Sequence, residues 1–289
     1  MIDLLQYTFM QRAFVMATVT GSLCALVGIY VILRSMSFIG AGIAHASFGG
    51  VALGLLTGIN PFFTAVVFCT GTAWAIGAVS ESARIREDTA VGIFFASTMA
   101  FGVLLIGFMQ GYNTDLFGYI FGNILAVTSF DVWIGVVLAV IVVATIIFFF
   151  KEFLFITFDS EMARVTGLPV RLLNYLMLTL IALTIVISIK AVGIVLVSAL
   201  IVTPAAAAQQ LTRNFRHMLL IAVSLGIAAS WIGLILSALF DIPSGATIVL
   251  TATVIFFLCS VLSPHRRHKH IQRERLEHEV IESKEKRDE

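Results

Sequence analysis

The chain has 289 residues, 59% of them hydrophobic and 12% charged, and a formal net charge of +1 at pH 7. That much apolar surface exceeds what one soluble core can enclose, so lipid must be the solvent for much of the chain. The near-zero balance gives no support to a nucleic-acid partner, and it conceals a split: 8 of the 18 Lys and Arg and 7 of the 17 Asp and Glu follow Leu262.

A crossing needs about 20 apolar residues to traverse roughly 30 Å of hydrocarbon. Apolar runs between charged breaks predict spans near residues 14–33, 39–57, 61–82, 89–109, 131–150, 172–189, 191–209, 218–239 and 244–262. The runs are unbroken and rich in Gly and Ala, as packed helices require, without the short alternating segments of an outer-membrane barrel. The predicted fold is all-α: a polytopic transmembrane helical bundle of eight or nine spans over residues 1–263, then a polar charged tail over 264–289. Asp3, Gln6, Gln11 and Arg12 precede the first run, which leads straight into further spans, so the first helix is read as retained rather than cleaved. Cys24, Cys69 and Cys259 lie in apolar stretches, lack the spacing of a disulfide framework or zinc knot, and read as small packing residues.

The second span carries His45, the one histidine inside a predicted crossing. An ionisable group at that depth is costly and is a functional candidate by default. Gly42, Ala46, Gly50 and Gly54 recur every four residues as a ridge for close helix packing, and Ala41, His45 and Gly49 form the adjacent row. His45 either bonds a neighbouring carbonyl in a packing role or faces a permeation path. Glu87, Asp88 and Thr89 open the fourth span, where acids complement the helix dipole and Thr or Asp can cap. Between residues 109 and 131, GYNTDLFGYIFGNILAVTS is too long for a turn and too mixed for a span; a half-inserted helix over about 116–127 fits it.

In the loop 151–171, the run FDSEMARVTGLPVR predicts an amphipathic helix ended by Gly167 and Pro169. Lying across the membrane face, it is either an ordinary interfacial helix or a dock for a cytosolic partner. Two spans then meet at Lys190 with almost no loop. Pro204 removes the hydrogen bond to the carbonyl of Leu200 and precedes the alanine run 205–208, which either lines a vestibule or permits tight packing. Asp241, Pro243 and Ser244 start the last span, with Pro suited to a first turn. In the tail, His265, His268 and His270 among Arg266, Arg267 and Lys269 read as a juxtamembrane anchor to anionic lipid, with metal sensing as the other reading.

Lys and Arg near span ends are retained on the cytoplasmic side. Alternating the spans puts Arg34, Arg84, Arg86, Lys151, Arg164, Arg171, Arg213 and Arg216 on one side and only Arg12 and Lys190 on the other. This predicts a multi-pass protein of the cell membrane with its N-terminus outside and its C-terminus cytoplasmic.

The stretches SFIGAGIAHASFGGVALG (37–54), REDTAVGIFF (86–95), FGNILAV (121–127), FDSEMARVTGLPVRLLNYLML (158–178), AVGIVLVSALIVTPAAAA (191–208) and IPSGATIVL (242–250) carry a resemblance. Together they make the chain similar, over about residues 10–262, to the permease family of zinc, manganese and iron importers among the ATP-binding-cassette transporters. The resemblance implies that Glu161, Ala163 and Gly167 belong to the coupling helix, with Glu161 contacting a cytosolic ATPase and Gly167 permitting the sharp exit turn. It further implies a second copy of the permease, two copies of the ATPase and an extracytoplasmic metal-binding protein that meets the rim near Asp241, Pro243 and Ser244. The cargo is then a divalent metal ion, and the chain itself binds no cofactor. His45, Asn123 and Pro204 fall to the permeation pathway, with His45 as a metal ligand. Most of the family carries Asp where this chain has Ala41, four residues before the histidine; a carboxylate and an imidazole on one helical face suit a transient divalent site. Without it, the second copy, Asn123 or Asp131 must complete any such site.

The sequence has no Gly-Lys pair, so a phosphate-cradling Gly-x-x-x-x-Gly-Lys-Ser/Thr loop is excluded and ATP is hydrolysed in another subunit. The chain is accordingly read as a transport subunit and not an enzyme. Two other readings compete with it. An ion-gradient-driven secondary transporter calls for acids at membrane depth or broken central helices, and few acids lie there. An intramembrane enzyme calls for a His-Glu-x-x-His or Gly-x-Ser-x-Gly run, and neither occurs.

Overall fold

The computed structural model describes residues 7–109, 115–122, 124 and 127–263. These hold α1 (Thr8–Leu33), α2 (Ile39–Thr57), α3 (Pro61–Ala83), α4 (Glu87–Gly107), α5 (Asp115–Phe121), α6 (Ser129–Phe148), α7 (Phe150–Phe158), α8 (Ser160–Val165), α9 (Val170–Val192), α10 (Ile194–Leu211), α11 (Phe215–Phe240) and α12 (Ser244–Leu262). Among the described residues, nine helices are long and apolar enough to cross a membrane: α1 to α4, α6 and α9 to α12. They coincide with the nine predicted spans. The predicted tail, 264–289, lies outside the described residues.

Local chemistry sets many of the helix ends. Asn60 accepts the Phe62 N–H at 3.0 Å and Pro61 takes the first position of α3. Thr128 and Asp131 form a capping box at the start of α6, and Asn214 caps α11 by accepting the Arg216 N–H at 3.0 Å. α4 departs from expectation: its N-cap is Arg86 and no side chain caps it, so neither Asp88 nor Thr89 acts as a cap, while Glu87 and Asp88 stand in the first turn where they complement the dipole. α1 starts at Thr8 instead of near residue 14, because Gln11 and Arg12 lower the hydropathy of a first turn without interrupting its backbone bonds. Inside the spans, the hydroxyls of Thr18, Ser97, Thr145, Thr203, Thr251 and Thr253 donate to the carbonyl four residues earlier, at 2.6 to 2.8 Å. Polar side chains thus reach hydrocarbon depth with their donors satisfied.

Burial divides the spans. The most apolar windows of α1, α2 and α9 are 67%, 72% and 67% buried, whereas those of α3, α4 and α12 are 28% and that of α6 is 22% buried. The first set is the centre of the bundle, and the second leaves most of its surface for lipid or another chain. α2, α3 and α4 pack together as one lobe; α1, α10, α11 and α12 form a second, and α9 touches both. Close approach needs small residues: a methyl on Gly21 of α1 would stand 2.5 Å from the Gly226 carbonyl oxygen of α11. The three cysteines are buried and free. Cys24 Sγ lies 3.3 Å from Ser188 Oγ, and Cys69 Sγ 3.5 Å from the Ile43 carbonyl, which is the packing role read from the sequence.

Candidate functional site

The loop 151–171 contains the helix expected in FDSEMARVTGLPVR, as α8, and before it a second short helix, α7, that was not expected. They break at Asp159, whose extended backbone leaves α7 and whose carboxylate accepts the Met162 N–H at 2.9 Å to start α8. α8 ends at Gly167, with φ 86°. There the Gly167 N–H donates to Arg164 O at 3.2 Å and the Leu168 N–H to Ala163 O at 3.1 Å, the paired bonds of a Schellman turn. Pro169 follows, and α9 begins at the next residue. Ala163 is buried and seats α8, while Glu161 is exposed beside Met162 and Val165, which are 52% and 82% exposed. Glu161, Ala163 and Gly167 therefore belong to one compact, doubly capped element, with an apolar pair and a carboxylate facing outward. Such an exposed mixed surface is suited to contact with another protein.

Next to α8, the span ends that carry arginine gather at what is termed the basic end. Arg34, the C-cap of α1, donates from Nη2 to Asn174 Oδ1 of α9 at 2.7 Å. Arg171 Nε lies 3.2 Å from Glu81 Oε2 of α3. Burial pushes the Arg34 guanidinium below its ordinary pKa, and the Glu87 carboxylate acts in the opposite direction. Sequence reasoning missed this cluster; its only sequence signal is that all the members fall at span ends assigned to one side.

The small-residue ridge of α2 packs as the spacing predicts. A methyl on Gly42 would meet Val91 Cγ1 of α4 at 2.6 Å, and one on Gly50 would meet Ala65 Cα of α3 at 2.8 Å. His45, in the adjacent row, is half-buried, with its ring edge-on to Phe95 of α4 at 4.5 Å between centroids. Its Nδ1 is buried and has no hydrogen-bond partner, so the bond to a neighbouring carbonyl that a packing role implies is not made at this atom. Among the described residues, no three His, Cys, Asp or Glu side chains gather as a metal-holding set.

At the opposite end of the spans, both carboxylate oxygens of Asp131 are engaged. Oδ1 accepts from Lys190 Nζ at 2.5 Å, and Oδ2 accepts from Thr128 N–H at 3.0 Å and Thr128 Oγ1 at 2.7 Å. Asp131 is thus committed to holding α6 on α9 and is not free to complete a site with His45. α5 stops at Phe121, short of the predicted 127, because Gly122 turns to φ 72°. Gly122 crosses the single residue between α9 and α10, Gly193, at φ 92° and ψ 158°. A methyl on Gly193 would stand 2.6 Å from both Gly122 N and Ile120 O. Gly245 of α12 packs on the same crossing, 2.8 Å from Phe121 O to its would-be methyl, and Ser244 Oγ accepts the Ile124 N–H at 3.2 Å. Asn123 lies outside the described residues.

Pro204 is buried within α10, which runs through it from Ile194 to Leu211. Ala205 behind it accepts close approach from α1: a methyl on Gly28 would be 3.3 Å from Ala205 Cβ. Of the two readings of the alanine run, the geometry at this point matches tight packing. α10 also touches α2, so Pro204 and His45 lie on neighbouring helices.

Comparison with known proteins places these elements in a family. The ABC 3 transport family model matches residues 6–263. The manganese transport system membrane protein MntC of Listeria monocytogenes is 41% identical over 90% of this chain and 93% of its own length. A probable iron transport system membrane protein of Haemophilus influenzae is 37% identical over 92% of this chain and 98% of its own length. Among solved structures, PsaBC from Streptococcus pneumoniae in complex with Fab superposes with a TM-score of 0.85 at 36% identity, covering 94% of this chain and 98% of that one. The chain is therefore a multi-span membrane member of the ABC 3 transport family.

Proposed function

We propose that this chain is the membrane-spanning permease subunit of an ATP-binding-cassette importer of divalent metal ions, with manganese the favoured cargo and iron or zinc the alternatives. Two copies line the path, an extracytoplasmic binding protein delivers the ion, and two copies of a separate cytosolic ATPase drive the cycle. The basic end then faces the cytoplasm, with the N-terminus outside, because Lys and Arg are retained on that side. The observation that carries this reading is α8, a doubly capped element exposed at the basic end and joined through four residues to α9. The relatives named above support the cargo.

The test begins with α8. Glu161 is exposed, so Glu161→Arg leaves the fold unstrained. The variant is expected to weaken association with the ATPase by about tenfold, the equivalent of ~1.4 kcal/mol. Co-purification titrated against added ATPase reads this directly, and unchanged binding would remove α8 from the interface.

His45 supplies a second test. An unpartnered imidazole nitrogen at membrane depth is stabilised when it meets a passing cation, and the other copy can supply what Ala41 lacks. His45→Ala is expected to slow manganese uptake in proteoliposomes by about tenfold, the loss of an interaction worth ~1.4 kcal/mol, with the yield of folded dimer unchanged. Uptake at the wild-type rate would make His45 a packing residue. Running the same assay with manganese, iron and zinc in parallel identifies the cargo.

A further inference from the structure

The first turns of α9 hold both lobes of the bundle, and they do so through polar contacts. Arg171 meets Glu81 at 3.2 Å in the last turn of α3, on the lobe that carries His45. Asn174 takes the Arg34 guanidinium at 2.7 Å from the end of α1, on the other lobe. Higher on the same stripe of α9, Thr179 accepts from Trp74 Nε1 at 2.9 Å, and the Tyr175 ring stands edge-on to Trp74 with 6.5 Å between centroids. Positions 171, 174, 175 and 179 recur at helical spacing, so one face of α9 makes all of these contacts.

This joint combines those polar contacts with close packing, since a methyl on Gly77 of α3 would meet Leu178 Cδ1 of α9 at 2.8 Å. Within the α2–α4 lobe, helices touch through glycine, as at Gly42 and Gly50, where even a methyl has no room. Close-packed contacts of that sort move as a block. Between α9 and the two lobes there is also a cavity of about 30 Å³, with Arg34, Glu81, Glu87 and Asn174 on its polar side and Met177 and Leu178 on its apolar side. Charged partners on flexible stems beside a cavity can shift without breaking a packed core. The Schellman turn and Pro169 leave little slack between α8 and Val170, so a push on α8 arrives at this stripe first.

We infer that Arg171–Glu81 and Asn174–Arg34 are the prongs of a fork through which displacement of α8 is passed separately to the His45 lobe and to the α1 lobe. Arg171, Glu81, Asn174 and Arg34 are positioning residues, acting on the path through the helices they hold. The inference rests on the function proposed above, because it needs a motor that moves α8.

The Arg171 and Glu81 side chains are 74% and 45% exposed, so the pair contributes little to static stability and its exchange leaves the melting temperature unmoved. The experiment reconstitutes the permease with its ATPase in liposomes and measures metal ions moved per ATP hydrolysed. Arg171→Glu, which sets two carboxylates against each other, is expected to lower that ratio by about fivefold. The exchanged pair Glu81→Arg with Arg171→Glu is expected to recover at least half of it. Asn174→Ala, which strips the Arg34 prong of its acceptor, is expected to lower the ratio in the same direction. An unchanged ratio in Arg171→Glu overturns the inference. So does a loss that the exchanged pair fails to rescue, since that result assigns Arg171 to direct contact with the ATPase. Absence of ATP-driven uptake in the wild-type assembly would instead overturn the proposed function itself.

Discussion

Replacing Gly193 with alanine is expected to abolish the ordered crossing at the end of the bundle opposite α8. At φ 92° and ψ 158° the backbone occupies a region that is essentially reserved for glycine, and a side chain there costs roughly 1–3 kcal/mol from strain alone. The added methyl also meets Gly122 N and Ile120 O at 2.6 Å; these are backbone atoms that cannot rotate aside, and overpacking of this kind costs roughly 1–3 kcal/mol more. The sum, about 4 kcal/mol, is large against the stability of any single domain. Size-exclusion profiles and melting temperature in detergent should show a poorly folded, early-melting protein. Gly167→Ala is the control. It has positive φ as well, at 86°, but nothing stands within 4 Å of its would-be methyl, so only the backbone strain applies and the loss is expected to be about 1 kcal/mol. Equal losses at the two sites would show that the crossing of Gly193 with Gly122 is not a close contact.

Lys190→Met is expected to lower the melting temperature by about 5 °C, corresponding to ~2 kcal/mol. The Asp131 side chain is only 10% exposed and that of Lys190 is 31% exposed. Removing the ammonium therefore leaves a carboxylate in a poorly solvated place, which for fully buried pairs costs about 3–5 kcal/mol. The two bonds from Thr128 stay and reduce the penalty. The double variant Lys190→Met with Asp131→Asn keeps an acceptor for the Thr128 cap and has no stranded charge. It is expected to regain most of the loss. If the double variant is as unstable as the single one, the deficit comes from lost packing of the lysine stem and not from the carboxylate.

What could be read from the sequence was whatever has a local signature. The nine crossings were legible because each is a long apolar run, and Gly167 and Pro169 announced the end of α8. The ridge of Gly42, Ala46, Gly50 and Gly54 was legible from spacing alone, and it packs as predicted. Contacts between distant segments left no such trace. Lys190 and Asp131 are 59 residues apart and Arg34 and Asn174 are 140 apart, and in each case one partner looks like an ordinary helix-end residue. Asp131 was weighed as a metal ligand, yet both its oxygens are taken by Lys190 and Thr128. The predicted half-inserted helix was too long by several residues, because its length was judged from hydropathy, whereas Gly122 ends α5 through a backbone turn. The helix ended by Gly167 and Pro169 in the run 158–171 was legible and is α8, whereas α7 was not, because hydropathy does not register Asp159 leaving helical geometry between the two.

The single-residue link at Gly193 bears on how the protein is made. α9 and α10 have no loop in which to pause, so the translocon must take them up together as a helical hairpin. In the orientation proposed above, that hairpin drags Lys190 across the bilayer against the usual bias of basic residues, at about 3 kcal/mol for a lysine at mid-membrane. α6 is synthesised earlier, so Asp131 is already waiting on the far leaflet as a counter-ion when the lysine emerges. The order of the two residues in the gene thus supplies the electrostatic trap before the charge that falls into it.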